Sequence, residues 1–262
     1  MKVKINRRRI FFYIILAVFI GVFVYSAVQI IRIQSDYSKG VKEYDYLFNQ
    51  AIILDDDHPE YTGYSDNPFG NTLGFSIDYS ELYDMNNDYI GWIFIPGTAI
   101  NYPMVAGRDN EYYLHNTFMK EYNFAGTLFL DYMTNSLASS NTIIYGHRMN
   151  NGSMFADLEK YLDETFYKGS KYVYVFTEHD LLVYEIFSCR VVGLEDDCYT
   201  IGFTDDDAFN QWVFRMKTNS RYQTSLVQKA NGKVITLSTC VRNDETSRII
   251  VQAQLLNYCP LG

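Results

Sequence analysis

Cys240 closes the run Lys233-Val234-Ile235-Thr236-Leu237-Ser238-Thr239-Cys240, and Arg248 stands eight residues further on. The run is β-branched and apolar behind Asn231-Gly232, and a second apolar run, Arg248-Ile249-Ile250-Val251, follows it. This pattern predicts a buried strand that delivers a thiol to its C-terminal end. A short polar loop over 241–247 comes next, then a neighbouring strand that opens on an arginine. A nearby positive charge favours the thiolate, and the thiolate is the nucleophile. Such a thiol needs a proton partner, and the chain has four histidines. His58 lies in an acidic stretch, His179 at a hairpin tip, and His115 behind Tyr112-Tyr113-Leu114, where it reads as a surface or packing residue. His147 follows Asn141-Thr142-Ile143-Ile144-Tyr145-Gly146, so it too stands at the end of a buried strand that opens into a loop. Spacing alone does not pair it with Cys240.

The elements that must position these groups follow a mostly β pattern. Ile90–Ile95 and Ile100–Val105 flank a Pro96-Gly97 turn, and 125–130 and 141–145 read as further strands. Lys171–Thr177 and Leu181–Val192 form a hairpin around Glu178-His179-Asp180. Helices are expected over Asp78–Asn87, over Ser153–Leu162 with Ser153 as N-cap, and over Asp205–Ser220, where Phe209, Trp212, Val213 and Met216 share one face. A short helical turn is expected over Asp109–Leu114. About eight short strands with a few helices imply a closed or nearly closed β-barrel.

Ahead of the barrel, Ile10–Val28 is uncharged and long enough to span a hydrocarbon core of roughly 30 Å. Five positive charges precede it, which places the N-terminus in the cytoplasm and the rest of the chain outside. A cleaved signal peptide is the alternative, but its apolar core is ordinarily shorter. Asp36–Leu54 carries Val41, Tyr44, Leu47, Phe48, Ala51 and Ile52 at helical spacing, and Asp55–Phe75 reads as an irregular connection. The expected organisation is a basic tail over 1–9, an anchor over 10–31, a helical extension and linker over 32–88, and a catalytic domain over 89–262.

Six of the 22 basic residues precede Asp36, which leaves 16 against 31 acidic ones and about −15 on the remainder. That balance argues against nucleic acid as a partner. The four cysteines, Cys189, Cys198, Cys240 and Cys259, show neither CxxC nor Cys/His ligand spacing, so neither a zinc site nor a disulfide framework is expected. Asp205-Asp206-Asp207 could suggest calcium, but acidic residues are favoured at a helix N-terminus without any ion. No metal and no cofactor is expected. Cys189 reads as a small core residue.

Taken together, Thr236-Leu237-Ser238-Thr239-Cys240, the downstream Arg248 and the upstream Tyr145-Gly146-His147 resemble the signature of the sortases, membrane-bound cysteine transpeptidases of Gram-positive bacteria. The resemblance covers roughly Tyr89–Leu256. The long helix before the cysteine strand and the helical extension before the barrel resemble class B. The resemblance implies an eight-stranded sortase-type barrel, with Cys240 as nucleophile, His147 as proton carrier and Arg248 as oxyanion stabiliser. It also implies that Ser238, Thr239, Asn110 and Leu114 touch a sorting peptide. Arg242, two residues past the thiol, is the rival to Arg248. The implied partners are a sorting signal of Asn-Pro-x-Thr or Pro-x-Thr-Gly type and an amino group of the peptidoglycan precursor or cross-bridge. A pilus-assembling sortase, a mainly hydrolytic extracellular cysteine peptidase and a non-enzymatic peptide-binding module are the rival readings.

Overall fold

The computed structural model describes residues 7–54, 75–134, 136–224 and 232–261. The chain opens with one unbroken helix, α1 (Arg7–Ala51), where the sequence predicted an anchor and a separate helix. The joining residues 29–35 contain neither proline nor glycine, so nothing interrupts the hydrogen-bond ladder. The first half of α1 exposes its apolar side chains from Ile10 to Ile33 and is long and apolar enough to cross a membrane. The second half docks through Tyr44, Leu47 and Ala51, buried at helical spacing, whereas Val41 stays exposed. The Tyr44 hydroxyl donates to the Gly126 carbonyl at 2.5 Å, and Asn123 Nδ2 donates to the Asp36 carbonyl at 2.9 Å.

Strands β1 (Ile52–Leu54) and β2 (Phe75–Ile77), which the sequence pattern did not reveal, form a small antiparallel pair. Most of the irregular connection expected between them, with His58, lies outside the described residues. Helix α2 (Tyr79–Met85) follows, capped by Asp78, whose Oδ1 accepts from the Glu81 N–H at 3.1 Å.

The barrel strands are β3 (Tyr89–Phe94), β4 (Asn101–Ala106), β5 (Leu128–Leu130), β6 (Asn141–Tyr145), β7 (Tyr172–Phe176), β8 (Asp180–Gly193), β9 (Val234–Val241) and β10 (Asp244–Pro260). Helix α3 (Glu164–Gly169), also unforeseen, lies before β7, and α4 (Asp206–Thr218) lies before β9. The strands close in the order β10-β8-β7-β3-β4-β5-β6-β9, the barrel expected from the sequence. Neighbours are antiparallel except β4–β5 and β6–β9. The parallel β6–β9 pair is the one that matters for chemistry, because both strands finish at the same end of the barrel.

Two elements differ locally from expectation. Strand β5 begins only at Leu128, because Gly126 turns at φ +58° and its N–H is bonded back to Asn123. Ser153 caps nothing. Its hydroxyl donates to Asn151 Oδ1 at 2.7 Å, Met154 takes a positive φ, and a 3-10 helix begins only at Ala156.

Alternation along β9 and β10 divides two cores. Ile235, Leu237, Ile249, Val251 and Ala253 face the barrel interior. Val234 and Ile250 face outward, beneath Phe209, Trp212, Val213 and Met216 of α4. Cys189 joins the interior and Cys198 the outer cluster.

Candidate active site

Cys240 lies near the end of β9, half-exposed, and its register partner across the antiparallel ladder is Arg248 of β10. On the other side of β9, Tyr145 pairs with Ser238, and the Gly146 N–H donates to the Ser238 carbonyl at 3.2 Å. That register ends at Tyr145, and His147 follows two residues past the end of β6, the parallel neighbour of the strand that carries Cys240. Cys240 and Arg248 face each other across β9 and β10, and they and His147 are all partly exposed.

The hairpin between β9 and β10 is tighter than expected. Strand β9 runs to Val241, Arg242-Asn243 makes the turn with Asn243 at φ +58°, and β10 begins at Asp244 rather than at Arg248. Its register is irregular between Asp244 and Arg248. Asp244 organises this irregularity by accepting from the Thr246 N–H at 2.9 Å and the Thr246 hydroxyl at 2.6 Å. Those bonds, with further ones from Ser247, hold its carboxyl down at about 2. Arg248 Nη1 donates to the carbonyls of Glu245 at 2.8 Å and Ser247 at 3.0 Å. The guanidinium is thus anchored by one nitrogen. Arg242 is exposed at the turn and is not the residue opposite the thiol.

His147 is half-buried, and its Nε2 lies 2.9 Å from the Leu114 carbonyl oxygen. A carbonyl only accepts, so Nε2 carries the proton and Nδ1 is the basic nitrogen of the neutral ring. Burial lowers the imidazole pKa below its ordinary value; the Leu114 carbonyl opposes that shift and the neighbouring His115 adds to it. The His147 carbonyl accepts from the Phe155 N–H at 2.9 Å, which ties the following loop back to the histidine backbone. The next residue, Arg148, bonds Glu159 Oε2 through Nε at 3.1 Å and Nη2 at 2.8 Å.

The four residues expected to touch peptide separate into two kinds. Ser238 shares the face of Cys240, and its hydroxyl lies 2.9 Å from the Tyr199 hydroxyl. Burial pushes the Tyr199 phenol up to about 12, although the Ser238 hydroxyl and Arg248 pull it back. Thr239 is as buried as Ser238, and its hydroxyl donates to the Gly146 carbonyl at 2.7 Å, joining β9 to the residue after β6. Leu114 lies on a 3-10 turn, Tyr112–Leu114, packs its side chain on the core, and meets His147 through its carbonyl. Asn110 is half-buried, donates to Asp131 Oδ2 at 2.8 Å and accepts from the Tyr132 N–H at 2.9 Å.

Sequence reasoning did not single out Tyr145, which is partly exposed and pairs with Ser238 two residues before the thiol. It also missed Tyr199, whose ring centroid lies 6.4 Å from that of Tyr145. No periodicity marks Tyr199, because it comes from a 3-10 turn between β8 and α4. A partly exposed thiol opposite a guanidinium, with an imidazole just past the end of the neighbouring strand, is the set of groups that acyl transfer through a thioester needs.

A family model described as the sortase domain matches residues 93–256. Sortase B of Listeria monocytogenes is 36% identical over 246 residues, covering 91% of this chain and 94% of that protein. The crystal structure of sortase B from B. anthracis in complex with AAEK1 superposes with a TM-score of 0.70 at 29% identity, covering 85% of this chain and 99% of that one. The Staphylococcus aureus sortase B–substrate complex superposes with a TM-score of 0.64 at 30% identity, covering 69% of this chain and 85% of that one.

Proposed function

The chain belongs to the sortase family of cysteine transpeptidases and is most similar to its class B members, and from that premise we propose that it cleaves a sorting signal after threonine and transfers the protein to a cell-wall amine. The observation that carries the reading is Cys240 opposite Arg248 across β9 and β10, with His147 two residues past the end of β6, the parallel neighbour of β9. The Cys240 thiolate attacks the threonine carbonyl carbon, and the carbonyl oxygen becomes an oxyanion that the Arg248 guanidinium meets. The C–N bond then breaks, and the protonated His147 ring gives its Nδ1 proton to the leaving amine. A thioester remains on Sγ. An incoming amine loses a proton to His147 Nδ1, attacks the thioester carbon and expels the thiolate. Burial of His147 disfavours its imidazolium form, which thins the population able to give a proton to the leaving amine. Slow turnover is the expected result.

The basic residues before the exposed apolar half of α1 support a cytoplasmic N-terminus over 1–9 and an anchor over 10–31. The extension over 32–88 and the catalytic domain over 89–262 then stand outside. The substrate complex of the S. aureus relative supports a sorting peptide as ligand. By class likeness the motif is Asn-Pro-x-Thr or Pro-x-Thr-Gly, and the acceptor is a peptidoglycan amine. Product analysis tests the reading: a quenched sorting peptide is incubated with and without a small primary amine. A transpeptidase diverts product from free acid to amide as the amine is raised. Free acid alone at every amine concentration would make the chain a hydrolytic cysteine peptidase instead.

A further inference from the structure

The histidine side of the site stands close to the point where α1 leaves its exposed apolar half. Asn123 Nδ2 donates to the Asp36 carbonyl at 2.9 Å, and a Cβ added to Gly40 would lie 3.4 Å from the same nitrogen. The Asn123 N–H donates to the His115 carbonyl at 2.9 Å, and the His115 ring centroid lies 6.2 Å from that of His147. Ile33 is the last exposed apolar side chain of that half. At about 1.5 Å per residue, Asp36 and Gly40 stand roughly 5 and 10 Å beyond it. The headgroup layer on each side of a bilayer is roughly 5–7 Å deep. From there α1 climbs, without a break, to the other end of the barrel. Phe48 packs on Phe75 and Phe75 on Phe176, with ring centroids 6.2 and 5.2 Å apart. Phe176 pairs with Leu181, and the next residue, Leu182, pairs with Tyr258, ten residues past Arg248 on β10.

At the low end, beside Asn123, stands Tyr122. It is 78% exposed, more than any other large apolar or aromatic side chain among the described residues. Its backbone is nevertheless fixed: Tyr122 bridges Asn116, and the Thr117 N–H donates to the Glu121 carbonyl at 2.8 Å. The Tyr122 ring centroid lies 6.5 Å from that of His115. Arg32 and Lys39, both exposed, flank the same stretch of α1. A fixed ring with a polar tip, next to long basic side chains, suits the boundary between lipid headgroups and water.

We infer that Tyr122 and the edge it shares with His115 form a lipid-contacting surface: the tyrosine seats in the headgroup layer and holds the barrel with the His147 end of its site turned to the bilayer. This rests on the reading of α1 as a membrane anchor. The arrangement favours reactants that are themselves tied to the membrane, because both then meet the site at one height.

The test uses the full chain in vesicles of phosphatidylcholine and phosphatidylglycerol, with and without lipid brominated near the headgroup end of its acyl chains. Tyr122→Trp adds an indole at the surface, and Tyr258→Trp adds one at the far end of the barrel. The native Trp92 and Trp212 are 0% and 1% exposed and give the same background in both. The emission added by Tyr122→Trp is expected to be largely quenched by brominated lipid and shielded from aqueous acrylamide. That added by Tyr258→Trp is expected to show the reverse. In a second assay, Tyr122→Ser should lower kcat/KM for a sorting peptide tethered to the vesicle about threefold or more, as orientation at the surface is lost. For the soluble quenched peptide it should keep the wild-type value. Emission of Tyr122→Trp that ignores brominated lipid overturns the inference, whether acrylamide reaches it or another part of a protein covers it. Equal losses on tethered and soluble peptide in Tyr122→Ser also overturn it. A chain released from the vesicles by alkaline carbonate refutes the anchor and this inference with it, whereas an inserted chain with an unquenched Tyr122→Trp refutes this inference alone.

Discussion

Gly146→Ala tests how tightly the histidine strand is seated. Gly146 lies between the last residue of β6 and His147; its N–H donates to the Ser238 carbonyl and its carbonyl accepts from the Thr239 hydroxyl of β9. A Cβ built there collides with Leu128 Cδ2 and stands 2.7 and 2.9 Å from Phe155 Cδ2 and Cγ. Carbon atoms in a core are comfortable at about 3.5–4.0 Å. Leu128 and Phe155 are both fully buried and cannot swing away into solvent. Overpacking of this kind costs about 1–3 kcal/mol. For a domain of this size each kcal/mol lowers the unfolding midpoint by roughly 2–4 °C, so a loss of about 2–12 °C is expected. Phe155 also donates its N–H to the His147 carbonyl, so its displacement moves the imidazole. A shift on the order of 1 Å in a catalytic group can cost about a hundredfold in rate. Thermal unfolding by circular dichroism and turnover of a quenched sorting peptide are the two assays. Gly202→Ala is the control, since a Cβ there meets nothing within 4 Å. Wild-type midpoint and wild-type turnover in Gly146→Ala would refute the packing argument.

Arg248→Ala should lose about 10²–10³ in kcat, the usual loss for one oxyanion donor, while Arg242→Ala stays within twofold or so; peptide turnover with a matched unfolding midpoint checks both. Thr239→Val leaves the Gly146 carbonyl without its buried donor, so a stability loss of about 1–3 kcal/mol is expected in urea unfolding. The lowered pKa of His147 sets a sign for pH. Below the ordinary value of about 6.5 the unfolded chain binds the proton more readily than the folded one, so stability is whole above that pH and falls as pH drops toward the folded pKa. His147→Gln should flatten that slope below about pH 6.5, and an unchanged slope would remove His147 as its source. The acid limb of the kcat/KM profile should likewise lie below about 6.5; a profile flat from acid to strongly alkaline conditions contradicts the mechanism.

The barrel was legible because strands on a closed sheet alternate, and the runs ending at Cys240 and before His147 carry that alternation plainly. The placing of the His147 strand beside that of Cys240 was not legible from spacing. It depends on β6 and β9 being parallel neighbours, a long-range pairing that only the resemblance could suggest. The anchor and the docking helix were each readable by composition, but their fusion into α1 depends on the absence of a breaker over 29–35, a weaker signal than the change in polarity. Thr239 was offered to the groove through its nearness to the thiol, yet its hydroxyl is spent on the Gly146 carbonyl. Tyr199 gave no local signal, since it acts through a partner distant in the chain.

Intact-mass analysis after incubation with a small library of sorting peptides tests the central claim most directly. The account predicts an added mass equal to the peptide up to and including its threonine, mapped to Cys240, absent in Cys240→Ala and released by an amine. An adduct on Cys189, Cys198 or Cys259, or peptide cleavage that continues in Cys240→Ala, would contradict it.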